Sequence, residues 1–316
     1  MLKTAICDLF DIRYPILQGG MAHIGTFELV SAVSNAGGLG IIGSGFYEPE
    51  WVKNQIRMTR QHTTKPFGVN IQMASPHVKQ VVDIVIEEGV SIVTTGAGNP
   101  KSYIPKFKQA GIKTAPVVNS PTDAIDMEIA GVDAIIAEGT ESGGHVGETT
   151  TMVLVPEVVN SVKIPVIAAG GIGDGRGMAA AMALGASGIQ MGTRFACSKE
   201  SIAHPDYKRR IINAATPATV VTRQILGYPQ RSLKNELTDR FIELEKAGVS
   251  IEELEMFDRG RMYLGLIEGD FQEGSFLAGQ IAGQIKDEKS VKDIIEETVS
   301  VAEMVISSLN NITSED

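Results

Sequence analysis

Short, nearly unbroken apolar runs alternate with helical patterns from residue 13 to about residue 195. The runs are Tyr14–Gly19, Leu39–Gly43, Phe67–Gln72, Ile92–Gly96, Thr114–Val118, Ala134–Glu138, Val166–Gly171 and Gly188–Gly192. Between them, Phe27–Ala36 and Val78–Glu88 carry apolar residues three to four apart, and Pro156–Val162 ends another such stretch. Strands with continuous apolar character, each followed by a helix, are parallel strands covered on both faces. Eight such units predict an α/β fold, a TIM (β/α)8 barrel, with a doubly wound open sheet as the alternative. After Phe195 the pattern changes. Glu236–Ala247 and Ile251–Phe257 read as helices without clear strand alternation around them. Val291–Leu309 then reads as an amphipathic helix that returns to the barrel, and the polar tail Asn310–Asp316 as frayed. The expected organisation is a barrel over residues 1–200, a smaller, mostly helical substrate or lid domain over 201–284, and a closing helical segment over 285–316.

Composition narrows the partners. The chain has 316 residues, 43% of them apolar and 21% charged, which suits a core-forming protein outside a membrane. Its net charge of −10 argues against nucleic acid as a partner. Cys7 and Cys197 form neither a disulfide framework nor a metal-type spacing, so a reducing cytoplasm is expected. No apolar run is long enough to span a bilayer, and the first residues lack a signal-peptide core.

In a barrel of this kind, chemistry gathers at the carboxyl ends of the strands. Gly19-Gly20-Met21, Asn70, Gly143–His145, Gly170-Gly171 and Gly192-Thr193 all fall there. The stretch Glu141-Ser142-Gly143-Gly144-His145-Val146-Gly147 sets a histidine in a loop too glycine-rich for a core, where the ring can exchange protons near neutral pH. Ala168-Ala169-Gly170-Gly171-Ile172 and Gln190-Met191-Gly192-Thr193-Arg194 end the seventh and eighth runs. Turns at those two places of a barrel often bind phosphate through backbone N–H groups and the start of a short helix, and Thr193 can add a hydroxyl. Asn70 and Gln190 can hydrogen-bond the edge of a planar heterocycle, and Glu138 can accept from a ribityl hydroxyl or orient the loop. Barrel, double phosphate turn and amide ring together suggest FMN.

Other candidates carry less. Gly38-Leu39-Gly40-Ile41-Ile42-Gly43 fits a dinucleotide fingerprint but follows a helix and is itself a strand, and Gly171–Gly177 has Arg176 where the third glycine belongs. His62 and His77 lie in polar surroundings, His23 follows the first glycine turn, and His204 precedes Pro205 as a helix cap. Neither a metal-ligand spacing nor a serine-hydrolase elbow is present, and Cys197 reads as a buried small hydrophobe.

At Tyr14–Ala22, Gly37–Gly40, Lys65–Asn70, Thr94–Pro100, the histidine loop, Val166–Gly171, Gln190–Phe195, His204-Pro205 and Ala278–Gly283, the chain resembles the flavin-dependent enoyl-acyl-carrier-protein reductases of the nitronate monooxygenase superfamily. The likeness covers nearly the whole chain. It implies FMN held by Gly20, Met21, Ala22, Asn70, Glu138, Gly143, Gly144, Gly170, Gly171, Gln190, Met191, Gly192 and Thr193, with His145 as the catalytic residue. It implies NADH or NADPH as hydride donor, an enoyl substrate on an acyl carrier protein, a homodimer and often a monovalent cation. Within the superfamily, nitronate monooxygenase is the alternative activity, and a non-catalytic FMN-binding protein a more distant one. An acidic carrier would need a local basic patch on this acidic chain, and Tyr207-Lys208-Arg209-Arg210 with Arg231 and Lys234 is the candidate.

Overall fold

The structure is a computed structural model that describes residues 2–312. Eleven strands form within them: β1 (Ile16–Gln18), β2 (Gly40–Gly43), β3 (Phe67–Gln72), β4 (Ile92–Gly96), β5 (Lys113–Val118), β6 (Ile135–Glu138), β7 (Gly144–His145), β8 (Val166–Ala169), β9 (Gly188–Met191), β10 (Thr219–Thr222) and β11 (Gln230–Leu233). The eight expected apolar runs are β1 to β6, β8 and β9, all parallel, in the order β1-β9-β8-β6-β5-β4-β3-β2. Helices such as Phe27–Asn35, Val78–Glu87 and Thr151–Ser161 link successive strands, so the chain is a TIM barrel.

The two-residue period of a strand divides the core into two layers. Leu17, Leu39, Ile41, Ile92, Ala115, Ala134, Ile136, Ile167 and Ala169 cluster inside the barrel. Their neighbours Ile16, Ile42, Val69, Val93, Ile135, Ala168 and Met191 turn outward against the helices. Burial on both faces is why these strands read as continuous apolar runs.

β1 and β2 close the ring. Their backbones meet at Leu17 and Leu39, where Leu39 N–H donates to Ile16 O at 2.9 Å and Gln18 N–H to Leu39 O at 3.0 Å. The fully buried Gln18 side chain extends that seam as a substitute peptide. Its Oε1 accepts from Ile41 N–H at 3.0 Å and its Nε2 donates to Ile41 O at 3.1 Å. Gly40, part of the apparent dinucleotide fingerprint, lies in β2, where any side chain would strike the Val30 backbone. Helix packing requires that glycine, and the fingerprint is a strand, as its position predicts.

The last helix, Val291–Ile312, packs on the helix Gly175–Ala183 and on Phe27–Asn35. It therefore seals the outer ring where first and last units meet. It extends three residues past Leu309, and the rest of the expected frayed tail, residues 313–316, lies outside the described residues.

Segment 205–285 contains the helices Pro205–Ile212, Glu236–Ala247, Ile251–Asp258 and Arg261–Leu266. It also contains two strands that the sequence pattern hides. β10 and β11 pair antiparallel, and β11 pairs in turn with β7, so the histidine loop is the third strand of this small sheet. Tyr207, Ile211, Leu233, Leu266, Phe276 and Ile281 form its own apolar cluster.

Candidate active site

Strand parity assembles the barrel mouth. Gln190 stands opposite Leu17 in the β1–β9 register and Glu138 opposite Ala169 in the β6–β8 register, and both partners face the barrel interior. Asn70 stands opposite Thr94, to whose Oγ1 its Nδ2 donates at 3.0 Å. The three polar side chains thus sit at the carboxyl ends of β9, β6 and β3, above the apolar plug. Glycine at position 20 is a packing requirement, because a Cβ there would run into the Asn70 side chain. Met21 packs against both the barrel and the small-unit clusters, beside Gly192, and Ala22 lies against Gly45. Met191 differs from the other expected contacts. Its side chain faces the outer helices and its carbonyl accepts from Gly19 N–H at 2.9 Å, so the side chain is turned away from the mouth.

Burial pushes the Glu138 carboxyl up to about 7, with the Ser142 hydroxyl acting in the opposite direction. A carboxyl so placed exists in both protonation states near neutral pH.

The two glycine turns and the histidine loop are tied into one body. Gly144, Gly170 and Gly171 all have φ between +69 and +89°, a region that disfavours side chains. Thr151 N–H donates to the Glu141 carboxylate at 2.9 Å, and Thr151 Oγ1 lies 2.9 Å from both Glu141 Oε2 and Gly170 O. Gly143 abuts the Ala278–Gly279 backbone, where a Cβ would come within 2.6 Å of the Ala278 carbonyl carbon. Gly279 N–H then donates to Thr193 Oγ1 at 2.9 Å, and Gln280 N–H to Glu141 O at 2.9 Å. Glu141 and Gly279 lie in stretches quoted from the sequence but were given no role there, and Thr151 was not named; the bonds from Gly279 to Thr193 and from Gln280 to Glu141 join segments far apart in the chain.

His145 lies in β7 directly across from Gln230 in β11. The Gln230 amide nitrogen is 3.3 Å from His145 Nε2. An amide nitrogen only donates, so in this arrangement Nε2 accepts and the ring proton sits on Nδ1. Burial holds the imidazole below its ordinary pKa. Arg223 adds to that shift and Asp258 opposes it, and the net effect favours the neutral ring. Arg223 is itself buried, its Nε donating to Asp258 Oδ2 at 2.9 Å and its guanidinium over the Phe241 ring.

The remaining histidines and the cysteine take structural places. His204 Nδ1 accepts from Asp206 N–H at 3.2 Å, capping the helix Pro205–Ile212. His23 Nδ1 is 2.6 Å from the Tyr47 hydroxyl, and the ring sits edge-on to Tyr47 and Tyr263 at the mouth. His62 is exposed, and His77 is half-buried at the start of the helix Val78–Glu87. Burial pushes the Cys197 thiol up to about 11, against the pull of Arg194, which suits an inert core residue.

The expected basic patch is only partly a surface. Lys208 is buried, its Nζ donating to Ser198 O at 2.6 Å and to Glu288 at 3.0 Å. Arg231 is buried with its Nε on Thr140 O at 3.1 Å, and the Tyr207 hydroxyl donates to Leu277 O at 2.6 Å. Arg209, Arg210 and Lys234 remain exposed. Among the described residues there is no cluster of side chains suited to a metal, and no helix is long and apolar enough to cross a membrane.

A family model described as nitronate monooxygenase matches residues 3–81 and 71–300. Among solved structures, FabK from Thermotoga maritima is 49% identical with a TM-score of 0.97, over 99% of this chain and 100% of that one. A probable nitronate monooxygenase from Staphylococcus saprophyticus is 38% identical, over 77% of this chain and 82% of that protein. The (3aS,4S,5R,7aS)-5-hydroxy-7a-methyl-1-oxo-octahydro-1H-indene-4-carboxyl-CoA dehydrogenase of Rhodococcus jostii is 32% identical, over 95% of this chain and 96% of that protein.

Proposed function

The chain belongs to the nitronate monooxygenase family, and from that premise we propose that it is an NAD(P)H-dependent, FMN-containing reductase of trans-2-enoyl thioesters carried on acyl carrier protein in fatty acid elongation. The observation that carries this choice is the state of His145. With the Gln230 amide nitrogen facing Nε2 as a donor, the arrangement assigns the ring proton to Nδ1 and makes the ring a hydrogen-bond donor at that atom. Reducing an enoyl thioester builds negative charge on the thioester oxygen, which calls for such a donor. Removing an α-proton from a nitroalkane calls instead for a free imidazole lone pair. The close likeness to FabK supports the same choice.

The mouth suits FMN on the chemistry of its donors. The space beside Gly144 and Gly192 is open, with no atom nearer than 3.7 Å to a Cβ built there, and Asn70 and Gln190 offer buried amides. The turns at Gly170-Gly171 and Gly192-Thr193 would hold the phosphate, with Met21, Ala22 and the Met191 backbone completing the wall. Bound FMN would relay hydride from NAD(P)H to the β-carbon of the substrate. Glu138 would accept from a hydroxyl of the cofactor's chain. His145 Nδ1–H would hold the developing oxyanion and then release its proton toward the α-carbon. Residues 201–284 would act as the lid, bringing Gln230 onto His145. The reading includes a cytoplasmic homodimer and a monovalent cation as activator.

His145→Ala should retain FMN yet lose most enoyl reductase turnover, by about 10²–10⁴-fold, the usual contribution of a positioned acid or base. Undiminished turnover would remove His145 from the mechanism. The second reading, nitronate monooxygenase, is favoured by the Staphylococcus relative. It predicts oxygen consumption with an alkyl nitronate and no use of NAD(P)H.

A further inference from the structure

The exposed cations left over from the expected basic patch line a cavity of about 510 Å³. Its wall comprises Asp206, Arg209, Arg210 and Asn213 from the helix Pro205–Ile212 and its end, Lys234 after β11, and the Phe271 ring. The Arg210 guanidinium lies over the Phe271 ring, its Cζ 3.0 Å from the centroid. Arg209 pairs with Asp206, the one carboxylate in the lining. Lys286 Nζ donates to the carbonyl of Ala214, another wall residue, at 2.7 Å. Three cations against one carboxylate make this a local positive patch on a chain whose net charge is −10. Such a patch attracts an acidic partner that the rest of the surface repels.

Its position connects it to the chemistry. Leu233 lines the cavity, and Gln230, at the other end of the same strand, touches His145. At about 3.3 Å per residue, the cavity wall begins about 10 Å from the residue that orients the histidine. A thioester on an extended arm, rather than one held directly on a protein surface, fits that separation.

We propose that the Arg209–Arg210–Lys234 cavity is the docking surface for the acidic face of the carrier protein that delivers the substrate. The inference rests on the thioester reductase reading above. Arg209 and Lys234 are the residues to change, since both are exposed and neither touches the mouth.

The test is binding of a fluorescently labelled bacterial holo-acyl carrier protein, measured by anisotropy with the full chain and with the double variant Arg209→Glu/Lys234→Glu. Steady-state kinetics use crotonyl thioesters of the carrier protein, of coenzyme A and of pantetheine. Docking predicts at least a tenfold weaker carrier affinity in the variant and, for the wild type, weaker binding as salt rises. It predicts a matching rise in KM for the carrier substrate alone, with kcat and the pantetheine thioester unchanged. Equal carrier affinity in the two proteins, or no carrier binding by the wild type, overturns the docking site. A KM effect as large for coenzyme A assigns the cavity to a nucleotide phosphate and overturns it too. Failure of the wild type to reduce any of the three thioesters refutes the reductase reading instead, while the binding comparison still decides the surface.

Discussion

The Gln230 amide nitrogen meets His145 Nε2 at 3.3 Å across the β7–β11 ladder, so a residue of the small sheet sets the tautomer of a histidine at the barrel mouth. Gln230→Leu removes the donor and frees Nε2. The neutral hydrogen bond is worth about 0.5–1.5 kcal/mol, so turnover should fall by about 2–10-fold. Nitrogen-resolved NMR should show the ring losing its Nδ1–H preference, and its pKa rising toward the ordinary value. Gln230→Glu goes further, because a carboxylate draws the proton onto Nε2. An unchanged tautomer in both variants would remove Gln230 as a positioning residue.

Glu138 makes stability depend on pH. Its carboxyl is raised from 4.5 in the unfolded reference to about 7 in the folded protein. The unfolded chain therefore ionises first, and the folded state gains from the protonated group only at low pH. That contribution is full below 4.5 and is lost as pH rises through 7. Its size is about 3 kcal/mol at most. Denaturant titrations of the FMN-free protein should give higher stability at the acid end of this window, and Glu138→Gln should flatten the difference.

The pair between buried Arg223 and half-buried Asp258 should tolerate loss of either partner poorly. Asp258→Asn leaves a buried guanidinium without its counter-charge, a change that costs about 3–5 kcal/mol in comparable pairs. Arg223→Met should cost stability too, yet it should raise the His145 pKa, because Arg223 helps hold it down. Opposite movements of stability and histidine pKa in that variant would separate packing from electrostatics.

Gly143→Ala puts a methyl within 2.6 Å of the Ala278 carbonyl carbon, a backbone atom that cannot rotate away. Overpacking of this kind costs about 1–3 kcal/mol. Gly20→Ala instead meets the Asn70 side chain. The nearest atom there is Asn70 Cβ, so Gly20→Ala/Asn70→Gly, which removes it, should recover stability that Gly20→Ala loses, whereas no side-chain truncation rescues Gly143→Ala. Thermal unfolding of the four proteins decides this.

The barrel was legible because parallel strands covered on both faces leave unbroken apolar runs, and all eight appear where the pattern puts them. The mouth was legible because its glycines and amides end those runs. β10 and β11 were not. Gln230-Arg231-Ser232-Leu233 is wholly buried yet mostly polar, with Gln230 against His145 and Arg231 bonded to Thr140 and Thr219, so it has no two-residue alternation. Without β11 there was no reason to single out Gln230, and β7 is two residues inside a glycine loop. The basic run from Tyr207 to Arg210 misled for the same reason. Lys208 turns inward to Glu288, a partner 80 residues away that local sequence does not announce.

The most direct test of the account is an anaerobic titration of the FMN-loaded protein, followed by its visible spectrum. NAD(P)H should bleach the flavin band, and crotonyl thioester should restore it in stoichiometric amount. A band that resists NAD(P)H but is bleached by an alkyl nitronate would contradict the reductase reading and assign the site to nitronate oxidation.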